Sequence, residues 1–225
     1  MEVRDRKKAF AKAVIRWGEK KLRAFPWRDD TSPFKVFIAE ILLKRTTSTA
    51  VKRVYPQFLN RFPDISALAA AKLGDIEEVL KPIGLYKQRS VGLKEAAEYI
   101  TDHYGSQLPS TYEDLLKIPY VGSYTAGAIA SFGFGKPVPI LDSNVRRVVK
   151  RVFRDMIGDN ASDKDMIEVL KDIISKEKPK LFNWSLIDIG SQVCSYRFME
   201  CDGCPLEQIC CYKRNTTSDK EVLKH

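Results

Sequence analysis

A chain of 225 residues, 44% apolar and carrying a net charge of +9, has enough material for a buried core and a surplus of cations. It holds no run of about twenty apolar residues, so no membrane-spanning helix is expected, and its opening, MEVRDRKKAF, lacks an apolar signal core. The balance points to a polyanionic partner inside the cell, nucleic acid ahead of an anionic membrane, against the plainer reading of a protein with a basic surface.

In chain order the pattern is helical. RKKAFAKAVIRWGEKKLR spaces Phe10, Val14 and Trp17 along one helix face. FPWRDDTSPF interrupts with two prolines, and the run from Lys35 to Phe62 reads as two helices joined near Thr46–Ser48. ISALAAAKLGDIEEVLKPIGLY gives two short helices stopped by Pro82 and Gly84, and SVGLKEAAEYITDHYG another with a glycine stop. STYEDLLKIPYVGSYTAGAIASFGFG reads as helix, tight turn, helix, with Thr111 and Asp114 as a cap pair and the second helix starting near Ser123. DSNVRRVVKRVF, KDMIEVLKDIISK and NWSLIDIGSQVC complete the set. No alternating strand pattern survives, so the expected fold is all-α.

All five cysteines fall in CSYRFMECDGCPLEQICCYKR. The spacing Cys194-x6-Cys201-x2-Cys204-x5-Cys210 lets four thiolates wrap one centre. Zinc also accepts four cysteines, but zinc ribbons use two C-x2-C pairs and this loop has one. The wider spacing favours an iron–sulfur cube. Cys211 falls outside the pattern, and Arg197, Lys213 and Arg214 could meet a phosphate backbone or be solvated charges.

In LLKIPYVGSYTAGAIA, Pro119 and Gly122 mark a tight hairpin. The free amides of the helix that follows suit a DNA phosphate without base contact. Twenty residues after Gly122, Asp142 ends an apolar run just ahead of a helix, with Asn144 two residues on. Taken alone, Asp142 is an N-cap. A second acid, Glu40, sits inside the apolar run FIAEILL, a costly position unless the acid is partnered or lines a cleft. Two such carboxylates suit cleavage of a C–N glycosidic bond.

Together, in order from FPWR to the cysteines, these motifs resemble the helix–hairpin–helix DNA glycosylases with an iron–sulfur loop. The resemblance implies two helical lobes flanking a DNA cleft: a six-helix barrel carrying the hairpin, placed at 28–138, and a cluster lobe made of 1–27 and 139–225. It implies double-stranded DNA with a mismatched or damaged base as partner, a base flipped into a pocket, and a monomer in the cytoplasm of a prokaryote, associated with the nucleoid. A [4Fe-4S] cluster held by Cys194, Cys201, Cys204 and Cys210 is the implied cofactor.

Within the family, the position two after Gly122 separates branches: lysine where the strand is also cut, serine in adenine glycosylases, and here Tyr124. Tyrosine, together with Lys44, Arg45 and Leu85, resembles the thymine–guanine mismatch branch. The implied activity is hydrolysis of thymine, and of uracil, opposite guanine, with little or no strand cleavage. Asp142, Glu40 and Tyr124 are the implied catalytic set, supported by Asn144 and Arg28. Arg45, Leu85, Lys44 and the hairpin residues Val121, Gly122, Ser123 and Thr125 are the implied DNA contacts. Tyr120 replaces the usual glycine of the hairpin turn, a substitution that a positive φ would resist. An adenine glycosylase lacking its second domain and a non-catalytic DNA-binding module are the alternatives.

Overall fold

A computed structural model describes residues 2–197 and 199–214; Met1, Phe198 and 215–225, the last belonging to the expected cluster lobe, lie outside the described residues. In chain order the helices are α1 Val3–Lys21, α2 Pro26–Asp29, α3 Pro33–Leu43, α4 Ser48–Arg61, α5 Ile65–Ala70, α6 Leu73–Leu80, α7 Tyr86–Tyr104, α8 Tyr112–Leu115, α9 Ser123–Ala128, α10 Ser143–Ile157, α11 Asp163–Ile173 and α12 Pro179–Gln192. Helix α9 runs on into a π-helical turn, Ile129–Gly133. Among the described residues there is no strand, only an isolated bridge between Cys194 and Met199. The all-α fold is thus observed, and no described helix is long and apolar enough to cross a membrane.

The prolines of FPWRDDTSPF start helices and do not merely interrupt them. Pro26 and Pro33 lie in the first turns of α2 and α3, where a missing N–H costs nothing. Helix α7 begins at Tyr86, ahead of the expected start at Ser90, because Leu85 takes a left-handed conformation and turns the chain directly into it.

The chain divides into two compact units, Ala24–Lys136 on one hand and Met1–Arg23 with Pro137–His225 on the other. In the continuous unit, α3 is buried at seven consecutive residues, Val36 to Leu42, as an apolar helix without a polar face must be. It packs on α4, α7, α9 and the π turn. Side-chain caps fix the helix starts around it: Thr47 accepts from the Ala50 amide at 3.2 Å, Asp64 from Ala67 at 2.7 Å and Thr111 from Asp114 at 3.2 Å. Phe25 and Trp27 stack at 4.8 Å.

In the discontinuous unit, α1 and α10 pack against α12. Val145, Val148, Val149 and Val152 recur every three or four residues along α10 and are buried. Phe10 meets Phe153 and Phe182 at 5.1 and 6.3 Å between ring centroids. Buried Arg6 ties α1 to α10 and to the cysteine loop, donating to both carboxylate oxygens of Asp155 and to the carbonyls of Val152 and Ile209. Two glycines permit close helix crossings, Gly18 against Ser185 and Gly190 against the backbone of Asn144.

Candidate active site

Asp142 is the N-cap of α10. One carboxylate oxygen accepts from the Val145 amide at 2.7 Å, the other from the Asn144 side chain at 2.9 Å. Asn144 is held in turn: its oxygen accepts from Arg147 at 2.8 Å, and the same guanidinium donates to the carbonyls of Gly190 and Cys194. A half-buried carboxylate with both oxygens engaged has a fixed direction, which an N-cap alone would not require. Arg147 was not singled out in the sequence. Its spacing three residues after Asn144, on the same helix face, was the available signal.

The second acid, Glu40, lies in α3 and is 6% exposed, as the apolar run predicts. One turn later, Lys44 donates to the carbonyl of Tyr120 at 2.5 Å. Burial holds its ammonium below the usual lysine range, opposed by the charge of Glu40. Arg28 lies over the ring of Phe25, 5.1 Å from its centroid. Tyr124, in the first turn of α9, is half-buried. Glu40, Arg28 and Tyr124 belong to the continuous unit and Asp142 with Asn144 to the other.

The hairpin meets the anticipated difficulty at Tyr120 and narrows the expected set of DNA contacts. Gly122 has ordinary extended geometry, φ −87° and ψ 178°, whereas Tyr120 takes the left-handed conformation at φ 62°. Val121 and Thr125 are buried, and the Val121 amide already donates to the Ile118 carbonyl at 3.1 Å, so its donor is committed within the turn. Gly122 and Ser123 are the exposed hairpin residues of the expected set.

Arg45 (φ 55°), Leu85 (φ 48°) and Tyr120 are three of the four non-glycine residues with positive φ among those described. Each such residue costs on the order of 1–3 kcal/mol and persists only where its surroundings impose it. All three line one cavity of about 190 Å3 in the continuous unit, together with Ile41 and Gly92. Arg89, 7% exposed, holds its rim by donating to the carbonyls of Ile41, Leu42 and Lys44 at the end of α3. That buried arginine also escaped the sequence reading, because its partners lie 45 to 48 residues away.

In the discontinuous unit, Cys194, Cys201, Cys204 and Cys210 line a second cavity together with Val148, Val152 and Leu206. Burial pushes the Cys204 thiol up to about 11 and raises Cys210 as well, so thiolates there need a cationic partner. Arg151 donates to the sulfur of Cys194 at 3.1 Å. Among the described residues no group of three or more His, Cys, Asp or Glu side chains is placed to hold a metal ion; the four thiols line an apolar cavity. Thiols are the donor type that iron–sulfur clusters and zinc both take. Cys211 is buried beside the loop and is not among the residues lining the cavity. Of the three cations that could meet phosphate or be solvated charges, Lys213 pairs with Asp202 at 2.5 Å and Arg214 with Asp155 at 3.0 Å, while Arg197 is exposed.

An all-helical chain with a helix–turn–helix hairpin and a braced aspartate twenty residues beyond it defines a class. The profile of the HhH-GPD superfamily of base excision DNA repair proteins matches residues 38–176, and the chain belongs to that family. It is 34% identical to a thymine-DNA glycosylase of Aeropyrum pernix, over 94% of this chain and 97% of the relative. It is 31% identical to a thymine/uracil-DNA glycosylase of Methanothermobacter thermautotrophicus, over 92% and 94% of the two chains. A solved thermostable thymine-DNA glycosylase superposes with a TM-score of 0.89 at 30% identity, covering 94% of this chain and 98% of that one.

Proposed function

We propose that the chain is a monofunctional DNA glycosylase that hydrolyses the bond joining thymine or uracil to deoxyribose when the pyrimidine is mispaired with guanine. The observation that carries this reading is near-full-length similarity to relatives named for those two bases, in a chain whose candidate aspartate is braced through both oxygens.

The pyrimidine leaves the stack and enters the protein, at a lower cost for a wobble pair than for a well-matched one. The C1′–N1 bond breaks with its electron pair passing to the base. Glu40, directly or through water, polarises the base's carbonyl edge, and the Glu40 carboxyl or that water gives the base the proton it takes up. Asp142 stabilises the oxocarbenium-like sugar, then receives the proton of the water whose oxygen joins C1′. Asn144, anchored by Arg147, holds Asp142 in that direction. Tyr124 packs beside the sugar and Arg28 lines the pocket. Position 124 offers no amine, so no Schiff base forms there and the strand stays intact. Arg45 and Leu85 occupy the gap in the duplex, with Lys44 beside them, and the exposed amides at Gly122 and Ser123 hold a backbone phosphate.

The reading includes a [4Fe-4S] cluster on Cys194, Cys201, Cys204 and Cys210, supported by the four thiols that line one apolar cavity. When bound, it would tie the loop together and supply the positive partner those thiolates require. Brown protein absorbing near about 400 nm is expected; zinc without colour refutes the cluster.

The activity is tested on duplexes bearing T:G, U:G, T:A and A opposite 8-oxoguanine, with and without alkali. Nicks at T:G and U:G only after alkali are expected. Activity on A:8-oxoguanine with none on T:G refutes the substrate, and strand scission without alkali refutes the monofunctional assignment.

A further inference from the structure

Tyr120 is the residue of the hairpin that neither the fold nor the proposed chemistry accounts for. A glycine would adopt φ 62° without strain, yet the position carries an aromatic side chain. The ring is seated deliberately. It lies against the backbone of Gly92 in α7, so close that a Cβ there would meet ring carbons at 2.7 Å. Its own carbonyl is held by Lys44 at 2.5 Å. The residue is nevertheless 45% exposed, so part of the ring opens onto the cavity it shares with Arg45 and Leu85.

The polar groups lining that cavity are Lys44, Arg45, Arg89 and Gln88, with no carboxylate among them. Three of the four are donors only; Lys44 and Arg89 are engaged with backbone carbonyls, and Arg45, exposed, is the cation that can address a base edge. Guanine left without its partner presents the acceptor O6, where adenine carries the N6 amino donor. Apolar surface from Leu85 and Ile41 completes a setting suited to a flat base.

We propose that Tyr120 is a specificity-determining residue, the aromatic rest for the guanine left behind when its partner is extruded, with Arg45 addressing that guanine's O6 from the same cavity. The proposal rests on the glycosylase reading and adds to it a third contact at the vacated pair. Gly92 is the enabling residue, because any side chain there would lift the ring from its seat.

The test uses the full chain and duplexes in which a tetrahydrofuran abasic analogue faces either guanine or a fluorescent guanine analogue. No catalysis is required. The wild type is expected to bind the abasic duplex more tightly than an intact one and to change the analogue's emission. Tyr120→Gly, which also relieves the left-handed backbone, should bind the abasic duplex about tenfold more weakly, the scale of one lost base–aromatic stack, and lose the emission change. Tyr120→Phe should keep both. Gly92→Ala, a favourable substitution for helix α7 itself, should reproduce the loss by displacing the ring. Binding and emission kept by Tyr120→Gly would overturn the proposal alone, as would Tyr120→Phe behaving like Tyr120→Gly, since stacking needs no hydroxyl. A wild type that binds abasic and intact duplexes equally overturns the glycosylase reading and the proposal with it.

Discussion

Replacing Gly190 by alanine adds one methyl group where α12 crosses the first turn of α10. That carbon would stand 2.7 Å from the Cβ of Asn144, 2.8 Å from its carbonyl oxygen and 2.9 Å from its carbonyl carbon. Ordinary contact between carbons is about 3.5–4.0 Å, so the two helices must part by about 1 Å. Two of the three clashing atoms are backbone, and no side-chain rotation relieves them. Overpacking of this kind costs about 1–3 kcal/mol of stability. The larger effect falls on chemistry, because Asn144 orients Asp142 and the Arg147 guanidinium bridges Asn144 to the Gly190 carbonyl. A displacement of about 1 Å at a reacting group costs on the order of 100-fold in rate. Single-turnover excision of thymine from a T:G duplex, at saturating enzyme, reads that loss separately from binding, and thermal melting reads the stability. Excision within twofold of wild type in a protein with an unchanged melting point would show that Asp142 does not depend on this crossing.

Three further predictions follow from the same geometry. Asp142→Asn should reduce excision by at least about 100-fold while duplex affinity, measured by gel shift, stays near wild type; retained turnover would remove Asp142 from the mechanism. Arg89→Met should destabilise the protein by about 2–4 kcal/mol in urea unfolding, since it strips a charged donor from three carbonyls at the end of α3 and leaves them in place. Asp155 should contribute to acid sensitivity: burial alone would raise its pKa, but hydrogen bonding to Arg6, with the charges of Arg6 and Arg214, more than reverses this and holds it low. Its contribution to stability is therefore full above the unfolded carboxylate value of about 4 and fades as pH falls through the lower folded value. The difference between wild type and Asp155→Asn in urea midpoint should shrink from pH 7 towards pH 3, and a constant difference would exclude that linkage.

What could be read from the sequence was local. Helix periods, the Thr111–Asp114 cap, the hairpin between Ile118 and Ser123 and the cysteine spacing are all written within a few turns of chain. The burial of Glu40 followed from its apolar neighbours alone. Long-range partners were invisible for the same reason. Nothing near Arg89 in sequence announces that it caps α3, and nothing near Gly190 announces Asn144. The prolines at 26 and 33 misled because proline both ends helices and begins them, and only the following residues decide which. The positive φ at Tyr120 was anticipated as a difficulty, but its solution, a glycine 28 positions earlier that seats the ring, needed three dimensions.

The division of the chain also sets an order of assembly. Helix α1 precedes the continuous unit in the chain, whereas its packing partner α12 follows it. The continuous unit, Ala24–Lys136, has all its sequence available while the remainder is still being translated. During that interval Phe10 and Val14, both fully buried in the finished protein, have nothing to cover them. Within the discontinuous unit α1 therefore waits for α12, with the whole continuous unit made in between. A ribosome that stalls between α9 and α10 leaves a nascent chain with a formed hairpin, no braced aspartate and an uncovered apolar face on α1, the kind of intermediate that chaperones and proteases recognise.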